Sequence, residues 1–356
     1  MPFYGEGLDG LLRARSKQLS GIVNGIDYNV YNPKTDKDIA VNYSVEDVIK
    51  AKAANKTALQ KELGLEENPD AFMLGIVSRL TDQKGLDLVE CVLDQICAED
   101  VQLVVLGTGE GKYQDMFTYY SRKYPERVSA NIFYSEALSH RIYASCDAFL
   151  MPSLFEPCGL SQLMSLRYGT LPIVRETGGL RDTVTPYNEV DGTGTGFSFT
   201  NYNAHEMLAI IRYAKKTYFN DRRAWNEMVL RAMKQDFSWD ASAREYEKLY
   251  DGLIEEEARR KEAIRLQQAR EAAEAALKEA EKALELAKRA EEKAIRKFSG
   301  IEDEPEDEKA EISKAEEIDE TPEAAPESEE VTEVLETPET PETPEEAEET
   351  AVEEKE

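Results

Sequence analysis

The chain has 356 residues, enough for one large or two ordinary domains, and a formal net charge of −29. Residues 301–356 hold 26 acidic residues and three lysines, a net charge of −23, which leaves only −6 for the first 300 residues. This distribution argues against a broad nucleic-acid-binding surface, and no apolar run is long enough for a membrane span. The N-terminus lacks the basic-then-apolar order of a secretory signal, so we expect a cytoplasmic protein.

Strand and helix patterns alternate along residues 1 to about 254. Apolar runs predict strands at 71–80, 101–106, 128–134, 148–151, 171–174 and 196–199. Helical patterns lie at 86–97, 110–122, 136–145, 160–167, 204–219 and 222–234. Continuous apolar strands between helices predict a parallel sheet covered on both faces, and right-handed crossovers make this a doubly wound, Rossmann-like α/β domain.

The composition changes at about residue 255. Residues 255–298 are almost all Ala, Glu, Lys, Arg and Leu, which predicts a helix. We favour a solvated, charge-laced helix, with a weak coiled coil as the lesser alternative. Residues 299–356 are acidic and rich in Thr-Pro and Glu-Pro, so we expect a disordered tail.

Cysteine and histidine are scarce. The two histidines stand apart and none of the cysteines forms a C-x-x-C pair, so neither a zinc site nor a disulfide scaffold is expected. We predict no metal and no cofactor. The four cysteines are expected to be reduced, and they are Cys91, Cys97, Cys146 and Cys158.

Ligands of such sheets bind beyond the carboxyl ends of the strands, so the loops there are the candidate site. Arg79 and Lys84 follow the first strand in a loop that leads into a helix, and this pair suits a diphosphate. Two unrelated solvated cations are the alternative. Gly107 and Thr108 follow the second strand, where small residues allow a ligand to approach the backbone, although a tight turn explains them equally well.

The loop after the fourth strand is the most informative. Glu156 precedes a predicted helix start, and Gly159, Leu160 and Ser161 would face the same cleft. A carboxylate beside backbone N–H donors and a hydroxyl suits a ligand that has both sugar hydroxyls and phosphates. The alternative is that Glu156 only caps the helix. The two glycines after the fifth strand, at 178 and 179, are typical of a plain turn.

Five segments, in this order, resemble the donor-nucleotide half of bacterial glycogen synthases and plant starch synthases. They are SGIVNGIDYNVYNP, SRLTDQKGLDL, VVLGTG, PSLFEPCGLSQL and ETGGLRDTV, and the resemblance covers roughly residues 4–254. It implies half of a GT-B glycosyltransferase that moves glucose from ADP-glucose to the non-reducing end of an α-1,4-glucan with retention of configuration. Met164 stands where many related glycosyltransferases have a second glutamate, which fits the synthase branch.

The resemblance also implies residue roles. Arg79 and Lys84 would contact the donor diphosphate and Glu156 would lie near the donor glucose, and these three are the predicted catalytic residues. The predicted donor-binding residues are Gly107 and Thr108 at the nucleoside, Tyr134 near the adenine, Cys158, Gly159 and Leu160 along the glucose, and Ser161 at the phosphate.

The N-terminal domain of the family has no counterpart in this sequence. The family begins with an acceptor domain that holds a Lys-x-Gly-Gly-Leu segment, whereas residues 1–25 of this chain resemble the hinge between the two halves. We therefore expect a carboxyl-terminal half, with residues 26–254 as the donor domain and a separate N-terminal half as a candidate partner. Alone, the chain is expected to bind ADP or ADP-glucose weakly and to transfer little glucose.

Two alternatives stay open. The same fold could use a UDP- or GDP-sugar as donor. The donor half could also be a non-catalytic, nucleotide-sugar-binding remnant that acts through its helix and acidic tail.

Overall fold

The computed structural model describes residues 7–300. The predicted acidic tail, from residue 301 onward, lies outside the described residues. The chain divides into two units, Met1–Ile264 and Arg265–Glu356, and each is described by itself. The predicted domain boundaries stay a prediction.

A six-stranded parallel sheet forms the centre of the first unit. Its strands are β1 (Phe72–Val77), β2 (Val101–Leu106), β3 (Val128–Asn131), β4 (Ala148–Met151), β5 (Leu171–Arg175) and β6 (Phe197–Phe199). They lie in the order β3-β2-β1-β4-β5-β6, and every neighbouring pair is parallel. The sheet confirms the predicted doubly wound domain, and the order reverses between β1 and β4, where ligands of such sheets bind.

Ten α-helices occur among the described residues. They are α1 (Asp9–Ala14), α2 (Val48–Leu63), α3 (Leu86–Ala98), α4 (Gly111–Lys123), α5 (Glu136–Ser145), α6 (Ser161–Arg167), α7 (Gly178–Thr183), α8 (Ala204–Asn220), α9 (Arg222–Lys234) and α10 (Trp239–Phe298). The six helices predicted within the sheet domain are confirmed to within a residue at each end. Three predictions differ: the first strand ends at Val77 rather than at residue 80, the third strand ends at Asn131 rather than at residue 134, and the predicted turn at the two glycines is the start of α7.

Helix α2 has a polar inner face, which is why its apolar periodicity is weak. Lys56 Nζ lies 2.6 Å from Asp147 Oδ2 and 2.9 Å from the Tyr218 hydroxyl. Lys52 Nζ lies 2.7 Å from Thr170 Oγ1 and also donates to backbone carbonyls. Buried amino groups that are hydrogen-bonded in this way fix α2 against the amino ends of the strands, opposite the ligand-binding edge.

Helix α10 begins at Trp239, ahead of the predicted start at residue 255. Its residues from 261 to the end are all exposed. Every helix within residues 7–300 is too short or too polar to cross a membrane.

Candidate functional site

The three predicted catalytic residues line one cavity of about 290 Å³ at the carboxyl ends of β1 and β4. Lys84 Nζ lies 2.6 Å from Glu156 Oε2, and the two side chains are only 16% and 9% exposed. The Ser153 hydroxyl donates to the same carboxylate oxygen at 3.2 Å. Arg79, in contrast, forms no ion pair within residues 7–300, and its guanidinium contacts Gln83 Oε1 at 3.4 Å. The cavity therefore offers one uncompensated cation beside a neutralised pair, an arrangement that can bind an anion.

The loops after β1 and β4 are held together by backbone contacts. The Leu154 N–H donates to the Gln83 carbonyl at 2.9 Å. Gly85 has a left-handed φ of 69°, and a Cβ there would lie 2.1 Å from the Pro152 carbonyl oxygen. A glycine is needed at this position on both counts. The close approach of these loops places Lys84 next to Glu156.

Arg175, the last residue of β5, fixes the loop that carries Glu156. Its Nε donates to the Ser153 carbonyl at 2.8 Å, and its Nη2 donates to the Leu154 carbonyl. At the start of α7 the Gly179 N–H donates to the Glu156 carbonyl at 3.1 Å. The sequence did not single out Arg175, because a polar residue that ends a strand carries no motif of its own.

A second cavity of about 340 Å³ adjoins the first. Val77, Ser78, Arg79, Leu160 and Ser161 line both cavities. The predicted nucleoside residues Gly107, Thr108 and Tyr134 line the second one. Tyr134 lies in the loop between β3 and α5 and is 85% exposed, so its ring stands at the rim. One ligand could therefore extend from a base in the second cavity to a sugar in the first, passing Arg79.

Tyr31 forms a further wall of the second cavity and was missed by the sequence analysis. Its ring stacks on His140 with the centroids 4.9 Å apart. Burial, reinforced by the nearby Glu136 carboxylate, raises the pKa of Tyr31, so its phenol is neutral at pH 7. The residue lies within the quoted segment SGIVNGIDYNVYNP, which was the available signal, but nothing in that segment distinguishes a cavity wall from core packing.

One cluster within residues 7–300 has the composition of a metal site. Potential ligand atoms of Asp36, Asp38 and His140 all lie within 4.8 Å of one another. Asp36 Oδ2, however, already contacts His140 Nδ1 at 2.7 Å and accepts a hydrogen bond from the Tyr168 hydroxyl. These contacts hold the pKa of Asp36 below its usual value despite its burial. We infer that the cluster has a structural role, because it fixes His140, on which the Tyr31 ring stacks.

The remaining predicted residues differ in placement. Gly159, Leu160 and Ser161 line the first cavity, as expected. Cys158 is among the described residues that line neither cavity; its carbonyl accepts a hydrogen bond from Gln162 Nε2 at 2.9 Å. The role of each site residue stays a prediction.

Comparison with known proteins gives the family. Residues 56–229 match the family model described as Glycosyl transferases group 1. This part of the chain belongs to that family. All the residues that line the two cavities lie within this match, except Tyr31.

Two curated relatives and one solved structure extend the comparison. The chain is 71% identical over 252 residues to a glycogen synthase of Lachnospira eligens, and 65% identical over 253 residues to one of Lachnoclostridium phytofermentans. Each match covers 71% of this chain and 53% of the relative. The catalytic domain of starch synthase IV from Arabidopsis thaliana, bound to ADP and acarbose, is 35% identical with a TM-score of 0.66, and the match covers 70% of this chain and 52% of that one. The chain thus spans about half the length of the relatives it matches.

Proposed function

We propose that this chain binds ADP-glucose and forms the donor half of a glucan synthase. In the proposed reaction glucose passes to the non-reducing end of an α-1,4-glucan with retention of configuration. The observation that carries the proposal is the convergence of Arg79, Lys84 and Glu156 on one cavity that opens into a second, partly aromatic cavity. High identity to glycogen synthases supports the choice of reaction.

The proposed chemistry is electrostatic. As the bond between glucose and the diphosphate breaks, negative charge grows on the departing ADP. Arg79 and Lys84 would stabilise that charge in a site that is partly closed to water. The carboxylate of Glu156, held by Lys84 and Ser153, would lie beside the glucose and stabilise the positive charge that develops at its anomeric carbon. No metal is required, because both charges have a protein partner.

The second cavity is the proposed nucleoside site. Its walls include the rings of Tyr31, Phe133, Tyr134 and Tyr143, which suit the flat face of a purine. The starch synthase that shares this fold was solved with ADP, which supports adenine over uracil or guanine here. The UDP- or GDP-sugar alternative remains an outcome of the binding test below.

The acceptor glucan needs a second wall that the described residues do not supply. The chain aligns with about half of each glycogen synthase relative, so we propose that a polypeptide like the remaining half binds the glucan and closes the cleft. Exclusion of water from the transferred sugar would depend on that closure. The cytoplasmic location stays a prediction.

Calorimetric binding of ADP, UDP and GDP to the purified chain tests the donor. We expect ADP to bind most tightly and the Arg79→Ala variant to bind it more weakly. Tighter binding of UDP or GDP would show that the donor is a UDP- or GDP-sugar, and no binding of any nucleotide would refute the proposed donor site.

The acceptor half is tested by adding the N-terminal half of the Lachnospira eligens relative and measuring glucose transfer to glycogen. We expect transfer to rise on addition of that half. Full turnover by the chain alone would contradict the proposed need for a second wall.

A further inference from the structure

The second unit carries a heptad pattern that the proposed glucosyl transfer does not use. Spacings of four and three residues alternate without a break between positions 269 and 294, and every position of the series is alanine. The series is Ala269, Ala273, Ala276, Ala280, Ala283, Ala287, Ala290 and Ala294. Such alternation keeps one face of a helix in register with a partner helix. At a rise of about 1.5 Å per residue the face is about 37 Å long.

This face has no partner among the described residues of the unit. Residues 265–300 are all exposed, and the three leucines next to the alanine series, Leu277, Leu284 and Leu286, expose more than half of their surface. An amphipathic helix is stable mainly when another element covers its apolar side. The flanking charges identify which element would fit.

We propose that residues 265–300 pair with the same helix of a second copy of this chain in antiparallel orientation. The series is symmetric about its centre, so each alanine meets an alanine. Ala269 faces Ala294 of the second copy and Ala280 faces Ala283 of the second copy, with the other four alanines in the two layers between them. Methyl side chains allow the helix backbones to approach closely, which increases the number of van der Waals contacts along the seam.

The residues on one side of the seam are complementary in the same register. Leu277 lies against Leu284 of the second copy, and Arg270 lies against Glu291 of the second copy; each pairing occurs twice by symmetry. Neither Arg270 nor Glu291 has an ion-pair partner within the described residues. Nearby, Arg289 Nη2 forms an ion pair with Glu285 Oε1 at 2.9 Å. Among the charges of this helix that form no ion pair within residues 7–300, Arg270 and Glu291 are the two that the antiparallel register would bring together.

A parallel pairing lacks this complementarity. In that orientation the flanking positions bring Glu279 next to Leu284 of the second copy, and Leu286 next to Glu291 of the second copy. Both contacts place a carboxylate against an apolar side chain, and no opposite charges meet. The antiparallel register makes one contact of this kind, between Glu279 and Leu286 of the second copy, but it also pairs Arg270 with Glu291, so the charge pattern favours the antiparallel arrangement.

Sedimentation equilibrium of the full chain tests the pairing. We expect a reversible dimer, and we expect Ala276→Glu to raise its dissociation constant more than about tenfold, because each dimer would bury two carboxylates against methyl groups. Ala275→Glu is the matched control, since it makes the same change away from the seam. A chain that is monomeric up to about 100 μM, or equal effects of the two variants, would overturn the proposal.

A charge swap tests the orientation. Arg270→Glu and Glu291→Arg are each expected to weaken the dimer, and the double variant is expected to restore it, because the pair is re-formed with its signs exchanged. Additive weakening in the double variant would rule out the antiparallel register. Circular dichroism of every variant checks that the helix content is unchanged, and ADP binding is expected to be unaffected throughout.

Discussion

Lys84 Nζ lies 2.6 Å from Glu156 Oε2, although the two residues are 72 positions apart in the sequence. The pair lies in the wall of the cavity that Arg79 also lines. An incoming diphosphate would therefore share the Lys84 ammonium with a carboxylate that is already bound to it. This arrangement lets one lysine neutralise the buried glutamate and still contribute to anion binding.

The two partners of this ion pair should respond differently to mutation. Lys84→Met is expected to weaken ADP binding, because it removes a cation and leaves the Glu156 carboxylate unpaired near the diphosphate. Glu156→Gln is expected to leave ADP affinity unchanged or to tighten it, because it removes an anion. Both should lower transfer by about 10²- to 10³-fold. Calorimetry and initial rates with the added N-terminal half measure the two effects, and equal losses of ADP affinity would contradict the assigned roles.

Substitution of two glycines that share one backbone conformation separates the effect of backbone strain from an effect on the site. Gly85 and Gly64 both have φ of 69°, but a Cβ at Gly64 meets nothing within 4 Å, whereas one at Gly85 would lie 2.1 Å from the Pro152 carbonyl oxygen. Gly64→Ala is expected to cost about 1 kcal/mol of unfolding free energy and to leave ADP binding intact. Gly85→Ala is expected to lower the unfolding free energy further, because its Cβ also meets Pro152, and to weaken ADP binding. Urea unfolding and calorimetry measure both quantities; identical behaviour of the two variants would refute the close approach of the loops.

Arg175 is expected to act on the site through the Glu156 loop. Arg175→Met leaves the Ser153 and Leu154 carbonyls without their donor, which we expect to cost about 2–3 kcal/mol and to weaken ADP binding. Arg212→Met, which breaks a surface pair with Glu99, serves as the control and should cost less than about 1 kcal/mol. Urea unfolding gives the free energies. Undiminished ADP affinity in Arg175→Met would show that the loop holds its shape without this side chain.

Lys52 predicts a specific pH dependence of stability. Burial lowers the pKa of Lys52 to about 7 in the folded chain, against about 10.4 when unfolded. Between these values the unfolded chain binds the extra proton, so this lysine makes the unfolding free energy rise with pH, by up to about 1.4 kcal/mol per unit. Lys52→Met should lack that contribution. Urea unfolding of the unsubstituted chain and of Lys52→Met from pH 7 to 9 measures the difference between their unfolding free energies. The buried tyrosines and cysteines contribute equally to both proteins, so the difference reports on Lys52 alone. A difference that stays constant with pH would refute the lowered pKa of Lys52.

Most strands and helices of the sheet domain could be predicted from the local pattern of apolar residues. The runs 101–106 and 148–151 are strands with the predicted bounds, because a strand buried on both faces is apolar throughout. The end of the third strand was overestimated, since Phe133 and Tyr134 line the second cavity rather than extend the sheet.

Helix α2 was not predicted because four of its seven buried residues are polar. Lys52 and Lys56 reach partners that lie far along the chain, Thr170 and Asp147.

The sequence by itself determined which loops gather at the carboxyl edge of the sheet, because parallel strands with right-handed crossovers leave that edge little freedom. Only the tertiary structure decided that Lys84 and Glu156 form an ion pair, that Arg175 holds the loop that carries Glu156, and that Tyr31 forms a wall of the second cavity. These relationships depend on distances between residues remote in the chain. Such distances follow from how the whole core packs, and no local run of residues encodes them.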